Sequence, residues 1–170
     1  YLDRVYREIA MQGDLFDDSR PVEQLHWGGG TPTFISPDQM RELMAVTGRH
    51  FKLLDDDRGE YSIEIDPREV SDATIGLLRE IGFNRMSLGL QDLDPAVQKA
   101  VNRIQTADET FGALTAARRE GFRSVSMDLI YGLPLQTAAS FIATLDRVVE
   151  AEPDRLSVFN YAHLPERFKP

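Results

Sequence analysis

The residues best suited to chemistry are carboxylates and amides spaced along the chain at the ends of short apolar segments. These are Glu64 and Asp66, Gln91 and Asp92, Asp128, and Asn160. The turn Gly28-Gly29-Gly30-Thr31-Pro32 and Arg103 join them. Carboxylates facing a polar hollow hold a cationic ligand or a divalent metal, and arginine and glutamine beside them point to a ligand carrying both signs of charge. An amino-acid-like moiety attached to a ribose fits that description. The three glycines match neither a dinucleotide fingerprint nor a phosphate loop, since no G-x-G-x-x-G and no G-K-[ST] follows. Their chemical use is close backbone approach to a ligand, although a tight turn needs the same residues. Asp66–Pro67, Asp92 and Asp94 read as turn and capping residues. Glu64 falls mid-pattern, two residues inside the turn, and like Gln91 and Asp128 calls for another reason.

Other chemistries are poorly supplied. His26, His50 and His163 are the only imidazoles, and a histidine metal site needs more ligands at better spacing. His50 falls late in an amphipathic helix and reads as a surface residue, while His26 and His163 can reach the mouth of a central hollow. No G-x-S-x-G elbow is present, which argues against a serine hydrolase. The chain contains no cysteine, so it offers no disulfide, thiolate zinc site, cysteine nucleophile or cluster ligand of its own.

The elements that position these residues follow from periodicity. Leu2, Val5, Tyr6 and Ile9 predict a helix ended by Gly13. Ser36, Pro37 and Gln39 predict a capped helix start, with Met40, Leu43, Met44 and Phe51 on its apolar face. Further helices are predicted from Ser71 to Gly82, from Asp94 through Val101, from Thr106 to Gly121 and from Thr137 to Glu150. Strands are predicted over 22–27, 61–65, 84–90, 123–131 and 155–160. Strand and helix alternate throughout, which is the pattern of right-handed parallel βα units in one domain covering residues 1–170.

The predicted strands are not continuously apolar, as fully covered parallel strands are. Tyr61, Ile63 and Ile65 alternate with Ser62, Glu64 and Asp66. Met86, Leu88 and Leu90 alternate with Arg85, Ser87, Gly89 and Gln91, and Val125, Met127 and Leu129 with Ser124, Ser126 and Asp128. One face therefore meets helices and the other is polar. This favours an α/β fold of the partial (β/α) barrel type with a wet lumen over a doubly wound sheet, whose two faces both need apolar cover.

Composition bounds the partners. With 19 basic and 28 acidic residues among 170, the net charge is −9, which argues against nucleic acid. No apolar run approaches the ~20 residues of a membrane span. No secretory leader stands at the start, and a cytoplasmic location is expected.

In combination the segments resemble a known family. They are Leu25-His26-Trp27-Gly28-Gly29-Gly30-Thr31-Pro32-Thr33, Ser62-Ile63-Glu64-Ile65-Asp66-Pro67-Arg68-Glu69, Gly89-Leu90-Gln91-Asp92, Val101-Asn102-Arg103, Asp128-Leu129-Ile130-Tyr131-Gly132-Leu133-Pro134 and Val158-Phe159-Asn160-Tyr161-Ala162-His163-Leu164-Pro165. They look like the oxygen-independent coproporphyrinogen III oxidase family of heme synthesis, which are radical S-adenosylmethionine enzymes. The likeness covers essentially the whole chain and implies a three-quarter (β/α)₆ barrel. It implies that Gly29 and Glu64 contact the S-adenosylmethionine that is cleaved. It further implies that Gly30, Thr31, Gln91, Arg103, Asp128 and Ala162 contact a second one. In the family a 5′-deoxyadenosyl radical takes hydrogen from propionates of a tetrapyrrole substrate, and loss of CO₂ leaves vinyl groups.

One departure bears on activity. The family's C-x₃-C-x₂-C motif for a 4Fe–4S cluster is expected upstream of Tyr1, together with a first strand, and a C-terminal domain is expected downstream. The resemblance thus makes this an internal fragment, inactive by itself, whose exposed strand edge over 22–27 invites self-association. Two readings compete with it. One is a haem- or S-adenosylmethionine-binding module of the related haem-chaperone branch. The other is an unrelated barrel lyase using Glu64 and Asp128 around Mg²⁺.

Overall fold

A computed structural model describes residues 1–162 of the chain. Helix α1, Leu2–Gly13, leads to a short strand β1, Pro21–Val22, and then to β2, Gln24–Trp27. Helix α2, Pro37–His50, is followed by β3, Lys52–Leu53, and β4, Glu60–Ile65. Next come α3, Asp72–Glu80, β5, Arg85–Gln91, α4, Pro95–Ala100, and α5, Ala107–Arg119. Strand β6, Ser124–Tyr131, helix α6, Ala138–Glu150, and β7, Arg155–Asn160, complete it.

Local chemistry sets the helix starts. The Ser36 hydroxyl accepts from Gln39 N at 3.2 Å while Gln39 Oε1 accepts from Ser36 N at 2.9 Å, a reciprocal cap with Pro37 in the first turn. Thr106 with Glu109 and Thr137 with Ser140 repeat the arrangement for α5 and α6. Each satisfies backbone donors that a helix start otherwise leaves open.

The five-stranded sheet has the order β2-β4-β5-β6-β7, every neighbour parallel. Each new strand lies on the same side of its predecessor. With right-handed crossovers, that order puts all connecting helices on one face. A doubly wound sheet must reverse direction once, and this one does not. The fold is a partial (β/α) barrel, as the alternation implies.

Ile63, Leu88, Val125, Met127 and Leu129 are fully buried on the helical face, where Met40, Ile75, Leu78, Phe83, Leu114 and Val148 meet them. Trp27 packs edge-on against Phe83, with ring centroids 4.9 Å apart. The opposite face carries Ser62, Glu64, Ser87, Gly89 and Asp128, none of them fully buried.

Three features depart from the sequence expectations. The strand expected over 22–27 is broken at Glu23: Val22 pairs with Leu53 in a separate two-stranded sheet, and only Gln24–Trp27 joins β4. The break is set by Tyr61, whose hydroxyl donates to Val22 O at 2.8 Å and accepts from Leu54 N at 2.7 Å, tying that small sheet to β4. Strand β3 itself lies where no strand is expected. Finally, short 3₁₀ turns at Pro32–Phe34 and Pro67–Glu69 follow β2 and β4, each opened by a proline.

Candidate functional site

The glycine turn and the polar strand ends lie together at the C-terminal end of the parallel sheet, where βα architectures place ligands. Residues 24–27 of β2 stand in register with 60–63 of β4, so the chain leaves β2 directly beside Glu64. There Gly29 N donates to Glu64 Oε2 at 3.1 Å. Glu64 Oε1 lies 3.2 Å from His26 Nε2, and His26 Nδ1 lies 2.8 Å from Ser62 Oγ. Both carboxylate oxygens are therefore engaged while the side chain remains about half exposed.

The glycines differ in their reasons. An ideal Cβ on Gly28 stands 2.4 Å from His26 Nε2 and 2.8 Å from Glu64 Oε1, so a side chain here would push the two apart. Gly29 and Gly30 adopt φ of 77° and 53°, left-handed backbone that glycine enters without strain, and the space beside them is open. Thr31, exposed, continues this turn and begins the 3₁₀ segment.

A second cluster forms around the end of β5. Arg103 Nη1 donates to Asp66 Oδ2 at 3.2 Å and Nη2 donates to Gly89 O at 2.9 Å. Arg68 also donates to Asp66 Oδ2, at 2.6 Å. Burial works to raise the Asp66 pKa, but hydrogen bonds from Arg68 and the charges of Arg103 and Arg68 outweigh it and hold the carboxyl below its usual value. Burial acts the other way on Arg103, lowering its pKa against the pull of Asp66. Arg103 Nε is buried and has no hydrogen-bond partner.

Gln91 has φ of 67°, beside a register shift between Gly89 and Gln91 that re-aims the strand end. A Cβ at residue 89 would stand 3.0 Å from Gln91 Nε2 and 3.1 Å from Arg103 Nη2, so both donors converge over a bare backbone. Asp128 stands in register with Gly89 and accepts from Ser87 Oγ at 2.7 Å.

The structure thus joins Gly29 to Glu64 and brings Gln91 and Arg103 together over Gly89, with Asp128 alongside. Gly30 and Thr31 share the first turn. Ala162 stands exposed two residues beyond β7. His163 lies outside the described residues, as do Leu164 and Pro165 of the same segment. The capping readings hold for Asp66 and Asp94, whose carboxylates accept from Arg68 N and from Ala96 N. Asp92 is a buried turn residue, accepting from Asp94 N, Thr144 Oγ1 and Gln136 Nε2. Sequence reasoning missed the second task of Asp66, the holding of Arg103, and the contact of His26 with Glu64. The alternation put Ser62 and Ser87 on the polar face, but contacts across 37 or 38 residues leave no local signal.

Comparison with known proteins agrees with this fold. The chain is 61% identical over all 170 residues to the oxygen-independent coproporphyrinogen III oxidase of Pseudomonas aeruginosa, of which it spans 37%. It is 51% identical over 168 residues to the Escherichia coli enzyme of the same name, spanning 36% of it. The chain therefore covers little more than a third of the length of these relatives. Among solved structures, coproporphyrinogen III oxidase from Escherichia coli, a radical SAM enzyme, superposes with a TM-score of 0.92 at 50% identity, covering 99% of this chain and 38% of that one. Methylornithine synthase superposes with a TM-score of 0.67 at 20% identity, over 91% of this chain and 43% of that one, a likeness of fold. Residues 2–148 match the Radical SAM superfamily. With the match running through every strand from β2 to β6, the chain belongs to the radical SAM superfamily.

Proposed function

We propose that the chain is the S-adenosylmethionine-receiving part of an oxygen-independent coproporphyrinogen III oxidase. The observation that carries this reading is the 61% identity running the full length of the chain to an enzyme of that name. The site's chemistry supports it. Glu64 offers a half-exposed carboxylate to an ammonium or ribose hydroxyl, and the open turn at Gly29 and Gly30 offers backbone. Arg103, with one buried donor unspent, and Gln91 suit the carboxylate of a methionine moiety.

Gly29 and Glu64 would hold the S-adenosylmethionine that reacts, and Gly30, Thr31, Gln91, Arg103, Asp128 and Ala162 a second one. When bound, S-adenosylmethionine supplies the radical that takes hydrogen from a propionate of the tetrapyrrole substrate. The protein's own residues bind, orient and exclude water. The Asp66–Arg103–Gly89 contacts fix the guanidinium before a ligand arrives, and Ser87 orients Asp128.

A 4Fe–4S cluster does not fit this chain. The chain has no cysteine, and the described residues hold no group of three or more His, Asp or Glu able to take a metal. In the parent protein the thiolate ligands must come from outside these 170 residues. We place the parent in the cytoplasm. Among the described residues no helix is long and apolar enough to cross a membrane.

The test uses the full-length protein, assembled anaerobically with its cofactors and given coproporphyrinogen III. Release of CO₂ and 5′-deoxyadenosine with formation of two vinyl groups is the expected outcome. Tight stoichiometric haem binding without decarboxylation would replace this reading with that of a haem chaperone.

A further inference from the structure

We infer that His26 is a positioning residue for Glu64, fixing where that carboxylate stands for its cationic ligand; the inference rests on the proposed S-adenosylmethionine reading. Three observations carry it.

The first is the clamp. Glu64 is gripped at Oε2 by Gly29 N and at Oε1 by His26 Nε2, the two contacts coming from the same segment of chain. The imidazole is itself steadied from behind, with Nδ1 2.8 Å from Ser62 Oγ. When Nε2 carries the proton and donates to Glu64, Nδ1 accepts from the Ser62 hydroxyl. That tautomer satisfies the carboxylate and the hydroxyl together, although Ser62 Oγ also lies 3.4 Å from Leu25 O.

The second is the room made for the clamp. A methyl on Gly28 would stand within 3 Å of His26 Nε2, Glu64 Oε1 and Glu64 Cδ, so the absent side chain is what lets histidine and glutamate meet.

The third is the surroundings. The side chains of His26 and Glu64 are 54% and 49% exposed, and such a pair contributes little to stability. Its consequence lies in geometry instead. Beneath His26 the lumen opens into a cavity of about 270 Å³ bordered by Ser62, Ser87, Ser126, Ser157 and Arg155, so the imidazole is not held in place by close packing from below. Without the imidazole, Glu64 keeps only the Gly29 contact at Oε2, and Oε1 loses its anchor.

The experiment measures equilibrium binding of S-adenosylmethionine to the cofactor-loaded full-length protein, together with its melting temperature. Glu64→Gln serves as the control for the underlying reading. His26→Gln keeps a donor near the Nε2 position, His26→Asn keeps one near Nδ1, and His26→Leu keeps neither. We expect His26→Gln to bind within about threefold of wild type, and His26→Asn and His26→Leu about tenfold more weakly, the scale of one charge-assisted hydrogen bond. Melting temperatures should be unchanged. Equal affinity in all three variants, equal loss in all three, or Asn outperforming Gln would each overturn the inference while leaving the S-adenosylmethionine reading in place. Failure of the wild type to bind, or wild-type affinity in Glu64→Gln, would overturn that reading and this inference with it.

Discussion

At Gly28 a single hydrogen atom decides whether the glutamate clamp can form. Gly28→Ala forces the new methyl against His26 Nε2 and the Glu64 carboxyl, which are side-chain ends able to move aside. The fold should survive, since the three atoms nearest the new methyl all belong to half-exposed side chains. The clamp should not. S-adenosylmethionine binding by the full-length protein is expected to fall about tenfold, with a melting temperature close to wild type; a calorimetric titration beside a thermal scan checks both.

Asp66 makes a second prediction at this scale. Its pKa is held down by Arg68 and Arg103 against the opposing effect of burial. A depressed acid stabilises the folded state fully above its unfolded pKa, about 4. That contribution is lost as pH falls through the lower folded value. Asp66→Asn should therefore be less stable than wild type at pH 7, and the difference should shrink as the pH drops below about 4. Chemical denaturation at pH 7 and pH 3 measures the two gaps; an equal gap at both would show that the charge is not what matters.

Between elements, one buried polar tie is Asp92. It follows β5, is 1% exposed, and accepts from the α4 side through Asp94 N and from α6 through Thr144 Oγ1. Gln136, which also donates to Ile130 O, brings in the end of β6. Asp92→Ala leaves Asp94 N and Thr144 Oγ1 without their acceptor, while Gln136 keeps Ile130 O, and each buried unsatisfied group costs roughly 1–3 kcal/mol. We expect a loss of about 3 kcal/mol or more, read as a lower urea midpoint with an unchanged slope.

Elements of this kind were legible in the sequence to different degrees. Caps such as Ser36 with Gln39 and Thr106 with Glu109 are local, so both helix starts could be read from residues three apart. The alternation in β4, β5 and β6 revealed the polar face, because one side of each strand meets only helices. The split of β1 from β2 was not legible, since it depends on the Tyr61 hydroxyl reaching Val22 across 39 residues. The same limit hid the Asp66–Arg103 pair. The bulge at Gln91 was hidden too, because glutamine gives no local sign of a positive φ.

For the whole molecule, the sheet ends in two edges, β2 and β7, each with a single strand partner among the described residues. Beside β2 lies an apolar cavity of about 730 Å³ lined by Leu2, Val5, Trp27, Ile35 and Leu43 among others. On β7, Leu156, Val158 and Phe159 are 44–54% exposed. Unpaired strand edges with adjoining apolar surface recruit other strands. The 170-residue chain by itself should therefore form concentration-dependent oligomers, and sedimentation velocity showing monomer alone up to high concentration would contradict this.

The division of labour across the parent protein gives the last prediction. The residues we assign to S-adenosylmethionine are all on this chain, whereas no thiolate is. Cysteine thiolates hold 4Fe–4S clusters because carboxylates and amides are poor substitutes for a soft metal. Supplying iron, sulfide and a strong reductant to the isolated chain should accordingly yield no 5′-deoxyadenosine, while the full-length protein treated in parallel should release it. Chromatography of the quenched mixtures distinguishes the two. Formation of 5′-deoxyadenosine by the isolated chain would mean that its own oxygen and nitrogen ligands suffice, and the assignment of the reducing half of the site to the rest of the protein would fall.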